Sequence, residues 1–351
     1  TCGRFQLHKN NKLESAMLLR AFAVTALACC LSACPGGSDN NPGGVQLLPS
    51  ARSSDGETVM ATMAFVPDSQ PTKLVVFCHG YGHSVEDAWL AHMKRTASPD
   101  IAVVSTNYRD NFGFPSLRGA EDTIIATRNA LKRFPSVKTV YALGVSLGGN
   151  ICGNAITESV KQSPTGKSLY DYWVDVEGLV HLTESWVEAK AALPDAAAGM
   201  ERDVGGTPAE KPDEYVRRSP ALNAQTMKSG GLQAVAVIHG FNDGLVPYNQ
   251  GREMSTALIL AGIPTQFINV VFDGPDQTSG TTLTGGLALL TGGDAPDVNN
   301  ELGLNLTGHG FEGDYGHPVI RAGFDQLQLM LDGKFPTAPY GESVINPTPP
   351  N

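Results

Sequence analysis

The sequence predicts an α/β fold: a mostly parallel sheet flanked by helices, with a small helical insertion. Three observations lead there. Short apolar runs alternate with helix-patterned segments across residues 45–333, the rhythm of strand–helix–strand units. Several runs, such as Lys73–Cys78 and Ile101–Thr106, are apolar without a break, as strands covered on both faces must be. The chain has 351 residues, 41% of them hydrophobic, with 39 Gly and 23 Pro, enough for one large core and many tight loops.

The elements follow in order. Val45–Pro67 reads as two strands around an Asp55-Gly56 turn. Lys73–Cys78 is the first buried parallel strand. Ser84–Ser98 has helical spacing, with Ser84 as N-cap and Glu86 and Asp87 in the first turn. Ile101–Thr106 is a strand, and Ser116–Phe134 an amphipathic helix stopped by Pro135. Thr139–Val145 is a strand and Leu147–Ser159 the helix after it. Val174–Leu182 and Leu232–His239 are strands, Tyr248–Gly262 a helix and Thr265–Phe272 a strand. Pro318–Leu331 is the last helix, opened by a proline suited to a first helical turn. Two stretches break the rhythm: 183–222 is helical and irregular, and 274–308, rich in Gly, Thr, Asp and Asn, is a long surface loop. Residues 334–351 read as a loose Pro-rich tail.

The formal net charge is −10 and no basic stripe occurs, which argues against a nucleic-acid partner. The N-terminal region reads as processing signal. From Met17, the basic Arg20 precedes an apolar run, Ala21–Leu31, too short to span a bilayer. The run ends Leu31-Ser32-Ala33-Cys34, which resembles a bacterial lipobox. That resemblance implies a signal peptide over 17–33 and lipidation of Cys34. It also implies export to the cell envelope, with membrane contact through the anchor alone. Residues 34–44 are a Gly/Pro/Asn tether, and 1–16 an upstream extension outside the fold. Of six cysteines, Cys78 and Cys152 fall in the folded part, either as a pair or as two free buried thiols.

The chemistry centres on Gly144-Val145-Ser146-Leu147-Gly148. This G-x-S-x-G stands between a buried strand and a helix, where small flanks allow a tight turn that lifts the Ser hydroxyl out of the sheet. His79-Gly80-Tyr81-Gly82 follows the first buried parallel strand. His239–Pro247 closes a late strand and offers Asp243; Asp273, after the last strand, is a poorer candidate. His309, flanked by Gly308 and Gly310, and His317, next to Pro318, both lie between the last strand and the last helix. His309 is the preferred base, because a Gly-flanked ring can reach over a sheet edge; His317 is the second choice, tied to the helix start. His309, Glu312, Asp314 and His317 lack the spacing of H-E-x-x-H, so no metal is expected.

On these motifs, about Val45 to Leu331 resembles an α/β-hydrolase, with 183–222 where that fold often carries a lid. The resemblance implies Ser146 as nucleophile, Asp243 and His309 as its partners, and the amides of Tyr81 and Leu147 as oxyanion donors. The segment from Gly205-Gly206-Thr207-Pro208 to Tyr215–Pro220 is similar to prolyl-oligopeptidase-like and acetyl-esterase-like hydrolases. The residues before Val45 leave no room for a full oligopeptidase's propeller. The expected activity is cofactor-free hydrolysis of a small-molecule or polymeric carboxylic ester through an acyl-enzyme. A small peptidase or amidase on the same triad is the alternative. A binding protein on an inactive hydrolase scaffold is the third reading, and the complete Ser, Asp and His set speaks against it.

Overall fold

Among the described residues, the first two strand pairings are antiparallel, and from there each strand of the sheet runs parallel to its neighbour. The computed structural model describes residues 44–52, 60–85, 88–109, 114–241, 243–271, 309–310 and 317–345. The expected upstream extension, signal peptide, Cys34, the Asp55-Gly56 turn and the 274–308 loop lie outside the described residues, as does the 34–44 tether apart from Gly44.

The strands are β1 (Gln46–Arg52), β2 (Met60–Phe65), β3 (Lys73–Cys78), β4 (Ile101–Thr106), β5 (Thr139–Val145), β6 (Tyr172–Val176), β7 (Ala234–Gly240), β8 (Thr265–Val270) and β9 (Tyr340–Ile345). They form a nine-stranded sheet in the order β1-β2-β4-β3-β5-β6-β7-β8-β9. Successive strand residues point to opposite faces, so an unbroken apolar run feeds two cores at once. Val76, Ala142 and Val237 face one layer, built by α2 (Ser116–Arg133), α3 (Leu147–Lys161) and α8 (Asn249–Leu260) through Ile124, Ile151 and Leu258. Val75, Leu143 and Ile238 face the other, where α1 (Ala88–Thr96) and α9 (Pro318–Leu331) contribute Met93 and Leu327. Each such Val, Leu, Ile or Met side chain contributes roughly 1.5–3 kcal/mol by leaving water.

Three sequence expectations change. The described helix α1 begins at Ala88 rather than Ser84; the Val85 N–H is taken instead by the Asn107 side chain at 2.8 Å. β6 spans Tyr172–Val176, not Val174–Leu182. Glu177 turns left-handed, with φ 52°, and the Val180 and His181 amides bond Gln250 Oε1 at 3.1 and 2.9 Å instead of a strand. The expected loose tail at 334–351 is also corrected, since Tyr340–Ile345 extends the sheet as β9, paired along β8 from Thr265↔Tyr340 to Val270↔Ile345.

The insertion holds α4 (Leu182–Ala192), α5 (Pro194–Val204), α6 (Pro212–Arg217) and a 3-10 turn, Pro220–Asn223; α7 (Ala224–Ser229) leads back to the sheet. Asn150 on α3 stitches its two ends together, donating from Nδ2 to Leu179 O at 2.8 Å and to Arg218 O at 2.9 Å. Because β5, β6 and β7 are neighbours in one parallel sheet, whatever follows each of them meets at the same carboxyl edge, where ligands bind in such sheets.

Candidate active site

Ser146 sits at that edge between β5 and α3, with φ 56° and ψ −124°, a conformation costly for any residue but glycine. The surrounding glycines allow it. A side chain at Gly144 would strike the Gly148 carbonyl, and one at Gly148 would strike the Cys78 carbonyl. The turn is held by Ser146 N–H to Val176 O and by Gly149 N–H to Ser146 O, both 2.9 Å. Leu147 is the first residue of α3, so its N–H has no carbonyl within the helix to bond.

Beside the elbow, the His79–Gly82 loop leaves the end of β3. His79 is buried, its Nδ1 lies 2.9 Å from the Gly80 carbonyl, and its ring stacks on Tyr108 at 4.1 Å between centroids. Burial lowers the His79 imidazole to about 4, so it is neutral at ordinary pH. Tyr108 donates to the His79 carbonyl at 3.1 Å, and the Tyr81 ring packs on Phe114 at 5.0 Å. These contacts fix the backbone that carries the Tyr81 amide.

Asp243 lies three residues past the end of β7, its carboxylate fully enclosed. Oδ1 accepts the N–H groups of Leu245 and Val246, each at 2.9 Å, which turns Oδ2 toward His309. His309 Nδ1 donates to that oxygen at 2.7 Å. Burial would raise the Asp243 carboxyl, but the charge and hydrogen bond of His309, with His239 behind, outweigh it and hold the group below its ordinary value. His239 is buried, gives its Nε2 proton to the Val246 carbonyl at 2.8 Å and lies 3.5 Å from Asp243 Oδ2. His317 is not brought to Asp243: it caps α9, and its Nδ1 accepts the Val319 N–H at 3.3 Å.

Glu177 is the residue that sequence reasoning missed. It follows β6, is fully buried, and its Oε2 lies 3.5 Å from His309 Nδ1. Burial first, then the charge of Asp243, push its carboxyl well above the ordinary range. A signal existed: the apolar stretch Val174–Val180 carries two ionisable residues, Asp175 and Glu177, a type rarely buried without a partner. Donor atoms of Glu177, Asp243 and His309 lie within 4.8 Å of one another, as do those of His181, Glu184 and Glu253 at the base of the insertion. In the first set the imidazole is directed at Asp243; in the second His181 Nδ1 pairs with Glu253 at 2.8 Å. Cys78 and Cys152 are both buried free thiols that form no disulfide.

A cavity of about 320 Å³ opens at Ser146 beneath α4 and α5. Phe114, Leu179, Leu193, Met200 and Val246 give it an apolar wall, and Tyr81 and Leu147 stand beside the Ser. Glu188 contributes a carboxylate to that wall, held by the Asn249 and Gln250 amides at 3.2 and 3.4 Å.

Residues 117–273, the stretch that carries Ser146 and Asp243, match the prolyl oligopeptidase family. A puromycin hydrolase structure is similar over 65% of this chain and 35% of its own, at 16% identity and a TM-score of 0.50. An acylaminoacyl peptidase from Pyrococcus horikoshii is similar at 17% identity and a TM-score of 0.47, over 66% of this chain and 37% of that one. An esterase from Pyrobaculum calidifontis is similar at 19% identity and a TM-score of 0.47, over 76% and 86%. The chain thus spans little more than a third of the acylaminoacyl peptidase's length. No curated protein matches the sequence. The fold is that of the α/β-hydrolases. Together with the geometry at Ser146, Asp243 and His309, the family match supports a serine hydrolase.

Proposed function

We propose that the protein hydrolyses carboxylic esters by acyl transfer to Ser146, with His309 as base and Asp243 as its partner. The observation that carries this reading is the His309–Asp243 hydrogen bond of 2.7 Å at the sheet edge from which Ser146 rises. In the scheme, His309 takes the Ser146 proton as the hydroxyl attacks the ester carbonyl. Asp243 fixes the imidazole tautomer, since its carboxylate accepts only from an Nδ1–H, and it stabilises the imidazolium. The Tyr81 and Leu147 amides receive the oxyanion, where fixed donors cost no reorganisation. His309 then returns the proton to the leaving alcohol, and water releases the acyl group by the same steps.

The apolar wall of the 320 Å³ cavity supports an ester with an apolar acyl or alcohol group. Peptide or amide cleavage is the second reading, favoured by the match of residues 117–273 to a peptidase family. We further propose that the protein is exported and lipid-anchored at Cys34, on the strength of the Leu31–Cys34 motif.

A fluorophosphonate probe, a series of p-nitrophenyl esters and an aminoacyl-p-nitroanilide test the reading together. Wild type is expected to label at Ser146 and Ser146→Ala not at all. With roughly 0.8 kcal/mol per buried methylene, kcat/KM should rise about fourfold per added carbon until the cavity is filled. Faster turnover of the anilide than of every ester would replace esterase by amidase. A Ser146→Ala variant that keeps a tenth of the activity would remove the nucleophile.

A further inference from the structure

Glu177 has no step in the acyl-transfer scheme, yet its side chain bonds the backbone near Asp243 and His309, and the residue before it bonds Ser146. The carbonyl just before it, Val176 O, accepts the Ser146 N–H at 2.9 Å, and the Glu177 N–H goes to Ile238 O of β7 at 2.9 Å. Its side chain reaches further. Oε1 accepts the Gly240 N–H at 3.2 Å, at the end of the strand that presents Asp243. Oε2 accepts the Gly310 N–H at 2.6 Å, one residue past His309. Gly310 has little freedom on its other side, where a Cβ would come within 2.7 Å of Ile320 Cγ1 and 3.1 Å of His317 Nδ1.

This arrangement is expensive for a purely structural residue. A glutamate is held at φ 52° with no exposed surface, where an apolar side chain would avoid the cost of burying a carboxyl. What a glutamate supplies is two oxygens at the right separation to hold two amides, one on each side of the Asp243–His309 pair. The titratable groups facing it are Asp243 and His309, with His239 behind Asp243. Burial and the Asp243 charge push its carboxyl above the ordinary range, while the two amides it accepts draw it back down.

We propose that Glu177 is a positioning residue for the acyl-transfer reaction: its carboxyl spans the Gly240 and Gly310 amides and sets the placement of His309 between Asp243 and Ser146. The proposal rests on the serine-hydrolase reading above. It predicts an effect on the chemical step rather than on substrate binding, because the cavity wall does not include Glu177.

The test compares wild type, Glu177→Asp, Glu177→Gln and Glu177→Ala in the full chain. Readouts are kcat and KM on a p-nitrophenyl ester, fluorophosphonate labelling of Ser146 to count competent sites, and the thermal midpoint. Aspartate keeps the carboxyl but is one methylene short of spanning both amides. Its kcat per labelled site should fall about 10-fold or more, and that of alanine about 100-fold, with KM within about twofold, as a misplaced catalytic group predicts. Glutamine keeps the length but only one acceptor, with its NH2 facing the other backbone N–H, so its kcat per labelled site should also fall, by about 10-fold. Full kcat per site in Glu177→Asp overturns the proposal, as does a loss confined to KM. Should Glu177→Ala not fold, the aspartate and glutamine variants decide on the same readouts. A wild-type chain that neither labels nor turns over removes the hydrolase reading and this proposal with it. A wild-type chain that does both, matched by Glu177→Asp, removes this proposal alone.

Discussion

His309 Nδ1 lies 2.7 Å from Asp243 Oδ2, a contact closed across 66 residues of sequence. The second histidine of the region spends its ring on the backbone of α9 instead. The two therefore predict different losses. His309→Ala should lower kcat on a p-nitrophenyl ester by about 10⁴-fold or more, since base and nucleophile act as a unit. His317→Ala should lose a helix cap, about 1 kcal/mol of stability, and keep kcat within a few-fold. Steady-state kinetics beside urea unfolding separates them. An inactive, folded His317→Ala next to an active His309→Ala would exchange the roles.

The elbow predicts a sharp contrast between glycines. At Gly148 a methyl group would meet the Cys78 carbonyl, which belongs to a central strand and cannot move aside. Gly148→Ala should cost about 3 kcal/mol or more and remove fluorophosphonate labelling. Gly205 ends α5 at φ 89° with nothing near its missing Cβ, so Gly205→Ala should cost only about 1 kcal/mol and leave labelling intact. Equal unfolding midpoints for the two variants would contradict this account of the turn.

Ser146 was legible because the elbow advertises itself locally, through glycines on each side and a strand and helix around it. Asp243 was legible because it closes an apolar strand. Glu177 was not: its role comes from amides at Gly240 and Gly310, which only the parallel order of β6 and β7 and the return of the chain after β8 bring to it. Within the sequence it merely interrupts an apolar stretch, and that stretch read as a strand running too far. β9 was hidden for a related reason. Its six residues alternate between more and less exposed positions and have little apolar signal of their own. Their pairing with β8 supplies what periodicity could not.

Asp175 provides a pH test of the scaffold behind the elbow. Both its carboxyl oxygens are buried and make no hydrogen bond among the described residues, packed against Gly149 and Gly178. Burial pushes the group from its ordinary 3.8 up to about 8. The folded chain thus keeps a proton that the unfolded chain releases, and stability falls as pH rises through that window. The single group accounts for a loss on the order of 4 kcal/mol between pH 5 and pH 8, which Asp175→Asn should abolish. Urea unfolding at both pH values reads the slope directly. Parallel losses in wild type and variant would show that Asp175 does not carry it.

Cys34 tests the proposed membrane anchoring. The Leu31-Ser32-Ala33-Cys34 motif closes an apolar run of export-signal length, and a Gly/Pro-rich tether follows. On the proposed lipidation, a diacylglyceryl group on Cys34 would supply two acyl chains, enough for stable anchoring where a single chain binds only reversibly. In a bacterial host, wild type should partition into detergent and sediment with membranes. Its mature N-terminal peptide should start at Cys34 and carry the mass of the lipid. Cys34→Ala should lose the lipid mass and the partitioning while keeping kcat on a soluble ester, because Ser146, Asp243 and His309 all lie well past the tether in the sequence. Unchanged partitioning and an unchanged N-terminal peptide in the variant would end the lipoprotein proposal and leave the hydrolase reading untouched.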